Sequence, residues 1–303
     1  MDSFGANWLR CFCISLAAIG IAAAGVCRAA DEVEIHTTVL APGIAMLVGQ
    51  GGNLGVSYGP NGTLVIDDQF APLSNKILAA VAKLASTPLR YVVNTHWHGD
   101  HTGGNSNMAS AGAVIVAHDN VRVRMSQDQF SAALGRKTPA SPAQALPVIT
   151  FARDVTFHFN GQVIHVVHVD PAHTDGDSVI FFEGANVVHM GDTYFNGFYP
   201  FVDFSTGGEP RGMVAAVDMV LARTDDETQI IPGHGPLSNR RELVAYREML
   251  DTICDRIAAA IAEGKSVDEV VAIKPTADFD AKWGNGFLAP DQFVGILYRG
   301  LVD

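Results

Sequence analysis

Cysteine is nearly absent from this chain, positive charge is scarce and no internal repeat is visible. Each absence removes a class of protein. Four cysteines occur in 303 residues, and three of them, Cys11, Cys13 and Cys27, crowd into the N-terminal stretch. If that stretch is removed, only Cys254 remains, so neither an internal disulfide nor a cysteine metal cluster is available. Lysine and arginine number 20 against 32 aspartates and glutamates, a net charge of −12. An acidic surface repels phosphate backbones, so nucleic acid is excluded as an expected partner. The lack of any repeat of roughly 20–50 residues, or of heptads, excludes solenoids, propellers and coiled coils.

Long apolar runs are missing too, with one exception. Residues 11–27, CFCISLAAIGIAAAGVC, are uncharged, preceded by Arg10 and followed by Arg28. A weakly positive start, a short apolar middle and small residues at a cut site describe a secretory signal. Cleavage after Ala29 places Cys27 and Ala29 at the two inspected positions. An uncleaved anchor is disfavoured by the short span, and Val26 is a poor residue to precede a lipidated cysteine. A signal peptide over residues 1–29 and a single domain over 30–303 are therefore expected, with a periplasmic location and no stable membrane anchor after cleavage. Taking Arg10 and Arg28 from the 20 basic residues and Asp2 from the 32 acidic ones leaves 18 against 31, a net of −13.

What is present is 48% hydrophobic residues and 17% charged ones, enough for one large core. β-like runs at 35–40, 45–48, 55–58 and 63–67 are separated by turn signals and predict hairpins. Helical spacing over 72–85 follows. The strand RYVVNTH then delivers a histidine cluster, and AVIVAH continues the βα alternation. Residues 127–147, rich in Gln, Ser, Ala and Pro, break the pattern and predict a mobile flap or surface loop. VTFHFN, QVIHVVHV, SVIFFE and NVVHMGD predict strands, with helices near 211–223, 239–263 and 288–301. Cys254, within the second of these helices, is expected to be a small core residue. Two β-then-α halves imply two sheets packed face to face with helices outside.

The cluster His96-Trp97-His98-Gly99-Asp100-His101 puts three histidines and an aspartate into six residues. Alternating side chains on an extended segment face one way, so His96 and His98 can grip one ion, and Asp100 and His101 can serve a second. A catalytic zinc needs more ligands than two. Candidates recur where strands end: His173 in PAHTDGDS, Asp192 in HMGDTYF and His234 in IIPGHGP. His36, His118, His158, His165, His168 and His189 match no ligand motif and are expected to be structural, with His168 a candidate to support the site from behind. The Gly-rich residues 49–59 lack the lysine and hydroxyl of a phosphate loop and predict a hairpin or flap near the pocket. The aromatic run 194–204 reads as core, with some rings placed to line the pocket.

HWHGDH, AHTDGD, MGDTYF and PGHGP, in this order and preceded by LVIDD with Asp67, resemble the successive motifs of the metallo-β-lactamase superfamily. The resemblance covers roughly residues 35–303. It implies an α/β four-layer αββα sandwich, two mixed β-sheets with outer helices, carrying two zinc ions per chain. In that reading His96, His98 and His173 hold the first ion, Asp100, His101 and His234 the second, and Asp192 bridges both. Zinc brings the pKa of a bound water to roughly 7. The resulting hydroxide attacks a carbonyl carbon, with Asp100 orienting it and passing a proton to the leaving group. Two ions of charge +2 also let the pocket attract anions although the protein is acidic.

The superfamily hosts many reactions, so the fold cannot choose among them. One group of zinc β-lactamases has cysteine where this chain has Asp192. Another shares the Asp-His-His second site but lacks a bridging aspartate. The bridging residue is more similar to thioesterases of the glyoxalase II type, yet GDTYFNGFYP has neither their Gly-Cys-Gly run nor their basic residue. The expectation is an exported zinc hydrolase acting on a small-molecule carboxylic-acid derivative, with β-lactam hydrolysis the leading activity. Lactone, ester or thioester hydrolysis is the alternative. An iron-dependent sulfur dioxygenase and a non-catalytic zinc-binding protein are rivals from other classes.

Overall fold

Two mixed sheets and their flanking helices are described by a computed structural model over residues 32–302. The expected signal peptide, 1–29, with Cys11, Cys13 and Cys27, lies outside the described residues. No described helix is long and apolar enough to cross a membrane.

The first sheet is built from β1 (His36–Ala41), β2 (Ile44–Val48), β3 (Leu54–Gly59), β4 (Gly62–Ile66), β5 (Leu89–Val93) and β6 (Val114–His118). Between β6 and its outer partner lies a separate hairpin of β7 (Gln129–Ser131) and β8 (Arg136–Thr138); β9 (Ile149–Phe151) then closes the sheet. Pairing is antiparallel from β1 to β4 and parallel from β4 through β9. The second sheet runs in order β10 (Asp154–Phe159), β11 (Gln162–His168), β12 (Ser178–Phe182), β13 (Val187–His189), β14 (Gln229–Ile231) and β15 (Ser238–Asn239). Only its β13–β14 pair is parallel.

Strand β12 shows why the layers stack. Its side chains alternate between faces, and both faces are apolar. Ile180 and Phe182 join Ile44, Ile66 and Val93 of the first sheet in the core between the sheets. Val179 and Phe181 join the helix layer instead, packing with Met213, Val217, Leu250 and Ile253 of two outer helices. In chain order the helices are α1 (Ser74–Leu84), α2 (Gly99–Thr102), α3 (Asn105–Ser110), α4 (Asp119–Met125), α5 (Pro210–Leu221), α6 (Arg240–Ala262), α7 (Val267–Ala272), α8 (Asp280–Trp283) and α9 (Pro290–Val302). Helix α6 begins where the Asn239 side chain accepts the Glu242 amide. It then buries Leu243, Tyr246, Leu250, Ile253, Cys254 and Ile257 at helical spacing. Each large aliphatic side chain buried this way contributes about 1.5–3 kcal/mol. Cys254 is thus a core residue, as its helix predicted.

The stretch 127–147, expected as a mobile flap or surface loop, lies largely at the surface with more regular structure than its composition implied. It holds the β7–β8 hairpin and a short 3-10 turn, and both are tied down. Ala132 N donates to Ser205 Oγ at 2.9 Å, and Asn105 Nδ2 donates to the Ala145 carbonyl at 2.9 Å. Polar composition hid these bonds, because their partners come from distant parts of the chain. Helices α7 and α8 were also not legible as separate elements.

Candidate metal centre

The seven ligand-type residues leave their strands at one edge of the sandwich. His96, His98, Asp100 and His101 follow β5, His173 follows β11, Asp192 follows β13 and His234 follows β14. The first sheet thus supplies four of them and the second sheet three. They gather into two groups, His96, His98, His173 and Asp192 in one and Asp100, His101 and His234 in the other, with ligand atoms within 4.8 Å of one another in each. Asp192 stands between the groups. Its Oδ2 lies 3.5 Å from His173 Nε2 and 3.4 Å from His234 Nε2, and its Oδ1 lies 3.0 Å from His101 Nε2.

The far side of the rings decides what the near side carries. His98 Nε2 lies 3.0 Å from Asp203 Oδ2, and His173 Nδ1 lies 2.7 Å from the Phe201 carbonyl. Both partners can only accept, so those nitrogens carry the protons in the neutral rings. The inward nitrogens, His98 Nδ1 and His173 Nε2, then point lone pairs at each other across 2.8 Å. His96 Nε2 is buried nearby with no hydrogen-bond partner. Converging lone pairs without a donor are what a cation would satisfy. Ligands about 2.0–2.2 Å from a tetrahedral zinc are roughly 3.3 Å apart, inside the observed range of 2.8–3.8 Å. The all-nitrogen-and-oxygen donor set suits zinc and its neighbours among the divalent metals. The residues fit a metal pair.

Electrostatics agree with this geometry. Burial pushes His173 down to about 4, against the pull of Asp192, so its ring is neutral and free to ligate. Burial also opposes charge on Asp100 and Asp192, yet the histidines around them hold both carboxyls well below the usual carboxylate range. His96, His101, His173 and Asp192 are buried, whereas the Asp100, His234 and His98 side chains keep 28%, 22% and 16% of their exposure. The mouth of the centre is therefore at those three.

Several supporting residues were not foreseen. Asp203 was hidden in an aromatic run, where one buried acid among apolar residues was the only signal. Asp177 accepts the amides of His173 and Thr174, at 2.6 and 2.8 Å, and so shapes the loop that presents His173. Asn53, between β2 and β3, binds the Pro232 and Gly235 carbonyls on either side of His234. Two glycines admit no side chain: a Cβ at Gly52 would stand 2.1 Å from His101 Cε1, and one at Gly233 2.1 Å from Asp192 Oδ1. The glycine-rich stretch 49–59 thus lies against the centre, as expected. The aromatic run is core, with Tyr194, Phe195, Tyr199 and Phe201 in one buried cluster, and from it Phe195 stacks on His234 at 5.3 Å and Phe201 approaches His98 and His173. His168 stacks on His118 at 3.6 Å and reaches the Asp177 carbonyl, so it supports the His173 loop at one remove.

Comparison with known proteins agrees with this architecture. A family model described as the metallo-beta-lactamase superfamily matches residues 58–237. A hydroxyacylglutathione hydrolase from Polaromonas sp. is 27% identical over 179 residues, 58% of this chain and 60% of that protein. The chain thus spans less than two thirds of that relative's length. Among solved structures, a sec-alkylsulfatase from Pseudomonas sp. superposes with a TM-score of 0.64 at 17% identity, over 88% of this chain and 50% of the other. A metallo-beta-lactamase from Pontibacter korlensis gives 0.58 at 18% identity, over 72% of this chain and 99% of the other. At such identities these two structures speak for the fold alone. The family match, by contrast, extends over more than half of the sequence and takes in all seven ligand-type residues: the chain belongs to the metallo-beta-lactamase superfamily.

Proposed function

We propose that the chain is a hydrolase with two zinc ions per molecule, acting on a small carboxylic-acid derivative. The observation that carries this reading is the pair of inward-facing donor sets, with Asp100 the carboxylate of the centre most open to solvent at 28%. Ions held there would supply positive charge at a carbonyl oxygen and lower the pKa of a water to about 7. Asp100 stays ionised beside the mouth, 3.2 Å from His234 Nε2. It accepts a proton from the attacking water and returns it to the leaving group. Asp67 and Asp203 hold the rings of His101 and His98 while this happens.

A thioester, ester or lactone is the substrate class we favour, with a β-lactam second. Relatives named hydroxyacylglutathione hydrolases support a thioester. Residues 193–208 contain no lysine or arginine, which argues for an acyl carrier without an anionic group near the metals. The Asn196 amide, a neutral donor in that stretch, is engaged elsewhere: its Nδ2 donates to the Pro236 carbonyl and Glu242. We further place the processed chain in the periplasm, a reading that rests on residues 1–29 and is tested by N-terminal sequencing of exported protein.

Metal analysis of protein from zinc-supplemented growth, with oxygen-uptake and hydrolysis assays on the same preparation, tests the proposal. A zinc-to-protein ratio near two with ester or thioester turnover supports it. A single iron with oxygen consumption sinks it, and two zinc ions without any turnover leave only a zinc-binding protein.

A further inference from the structure

The segment from Phe201 to Gly208 lies against the first group of ligands. The Asp203 amide donates to the His173 carbonyl at 2.9 Å, and the Phe201 carbonyl accepts from the ring of the same histidine. Asp203 is fully buried, and its Oδ2 accepts both from His98 Nε2 at 3.0 Å and from Thr206 Oγ1 at 2.9 Å. Thr206 in turn accepts from Trp97 Nε1 at 3.3 Å, so the residue before His98 is tied to the same network. The other carboxylate oxygen, Oδ1, is buried without a partner. A buried carboxylate with one unsatisfied oxygen is costly, and the side chain occupies that position all the same. The second group has its own counterpart, Asp67 on His101.

We infer that Asp203 is a positioning residue for the first metal site: its carboxylate fixes the His98 ring and keeps the proton on Nε2, so that Nδ1 is presented to the ion. The inference rests on the dinuclear reading above. Within it, each site has one histidine backed by a buried carboxylate, Asp203 for the first and Asp67 for the second. A carboxylate behind a ligating imidazole raises its basicity and fixes its rotation. Asp203 is too deeply buried to touch a substrate, so it acts through His98 and not on the reacting atoms.

The test is zinc binding itself. Wild-type protein, Asp203→Asn and Thr206→Val are stripped of metal and titrated with zinc against a chromophoric chelator. The ring nitrogens of His98 and His101, followed by 15N NMR, report the two sites separately. Asp203→Asn, close to isosteric, is expected to weaken the first site by about 10-fold or more, the scale for losing such a partner, and to leave the second site nearly unchanged. Its His98 ring is expected to lose the single fixed tautomer. Thr206→Val keeps the charge but frees the carboxylate, and weakens the same site by a smaller factor. An unchanged first-site affinity in both variants, or equal weakening of both sites, overturns the inference. Wild-type protein that takes up no zinc overturns the dinuclear reading first, and this inference with it.

Discussion

His101 and Asp67 are locked together in the interior: Nδ1 lies 2.7 Å from Oδ2, and neither side chain is exposed. Asp67 also accepts the Thr95 amide and hydroxyl, both at 2.8 Å, so the carboxylate is fixed before any ion arrives. The other face of His101 meets Asp192 and Asp100. Burial opposes a charge there, yet Asp192, Asp67 and Asp100 together raise the ring well above its ordinary 6.5.

Burial also opposes charge on His234, but Asp192 and Asp100 lift it to about 9. The Nε2 atoms of the two rings lie 3.4 Å apart, close enough for their protons to be coupled. For His234 a raised pKa means that its contribution to stability is full below about 6.5 and is lost as the pH rises through about 9. Zinc needs the rings neutral, so its affinity changes in the opposite sense and rises with pH. Calorimetric titration at pH 7.5, in buffers of different ionisation enthalpy, should detect release of about one proton or more as the second site fills. Zinc uptake without proton release would contradict this account.

Asp100→Asn should lower kcat by about 100-fold or more, the scale for a positioned proton acceptor. Its circular dichroism should match the wild type, since the side chain is partly exposed and belongs to no core cluster. An unchanged kcat would remove Asp100 from the chemistry. Cys254→Ala, in the helix layer, should leave metal content and turnover nearly intact.

Gly233→Ala should cost metal before it costs the fold. The new Cβ would lie 2.1 Å from Asp192 Oδ1 and 2.5 Å from the Gly191 carbonyl. Overpacking of this kind costs about 1–3 kcal/mol, and here the atom pushed aside is a ligand. Elemental analysis should find clearly fewer than two zinc ions per chain in a protein that still melts cooperatively. Retention of both ions would mean that the loop yields more easily than its contacts imply.

Substrates that differ only in charge should separate cleanly. Without an ionic hydrogen bond from the protein, an anionic substrate forgoes roughly 1.5–3 kcal/mol. Neutral esters, lactones and thioesters should therefore show lower KM than carboxylate-bearing penicillins, cephalosporins and carbapenems on the same zinc-loaded preparation. Tight KM values for several β-lactams would reveal a clamp supplied from elsewhere, with Arg136 and Lys137 on β8 the first residues to test.

The convergence of the seven ligand-type residues could be read from the chain because each sits where an apolar strand gives way to glycine or proline, and strand ends are visible locally. The two-sheet core could be read for a similar reason: residues 179–182 of β12 are all apolar, which requires cover on both faces. The support behind the ligands could not. His98 and Asp203 are 105 positions apart, and nothing near Asp203 in sequence indicates which ring it will meet. The β7–β8 hairpin misled for the same reason, since its anchor at Ser205 belongs to another segment.

Each group of ligands draws on both sheets, and this bears on the order of assembly. His96, His98, Asp100 and His101 hang from β5, in the first half of the chain, whereas His173, Asp192 and His234 come from the second half. During synthesis the histidine-rich loop emerges long before its partners and can offer an ion only an incomplete shell. Under the proposed dinuclear reading, tight capture would have to wait until the second sheet has docked, so zinc would join late, as a rivet through two layers already in register. Bound at that stage, the ion would favour the docked form over every form in which the layers are apart. Chelation would then loosen the seam between the sheets before it unravels either one.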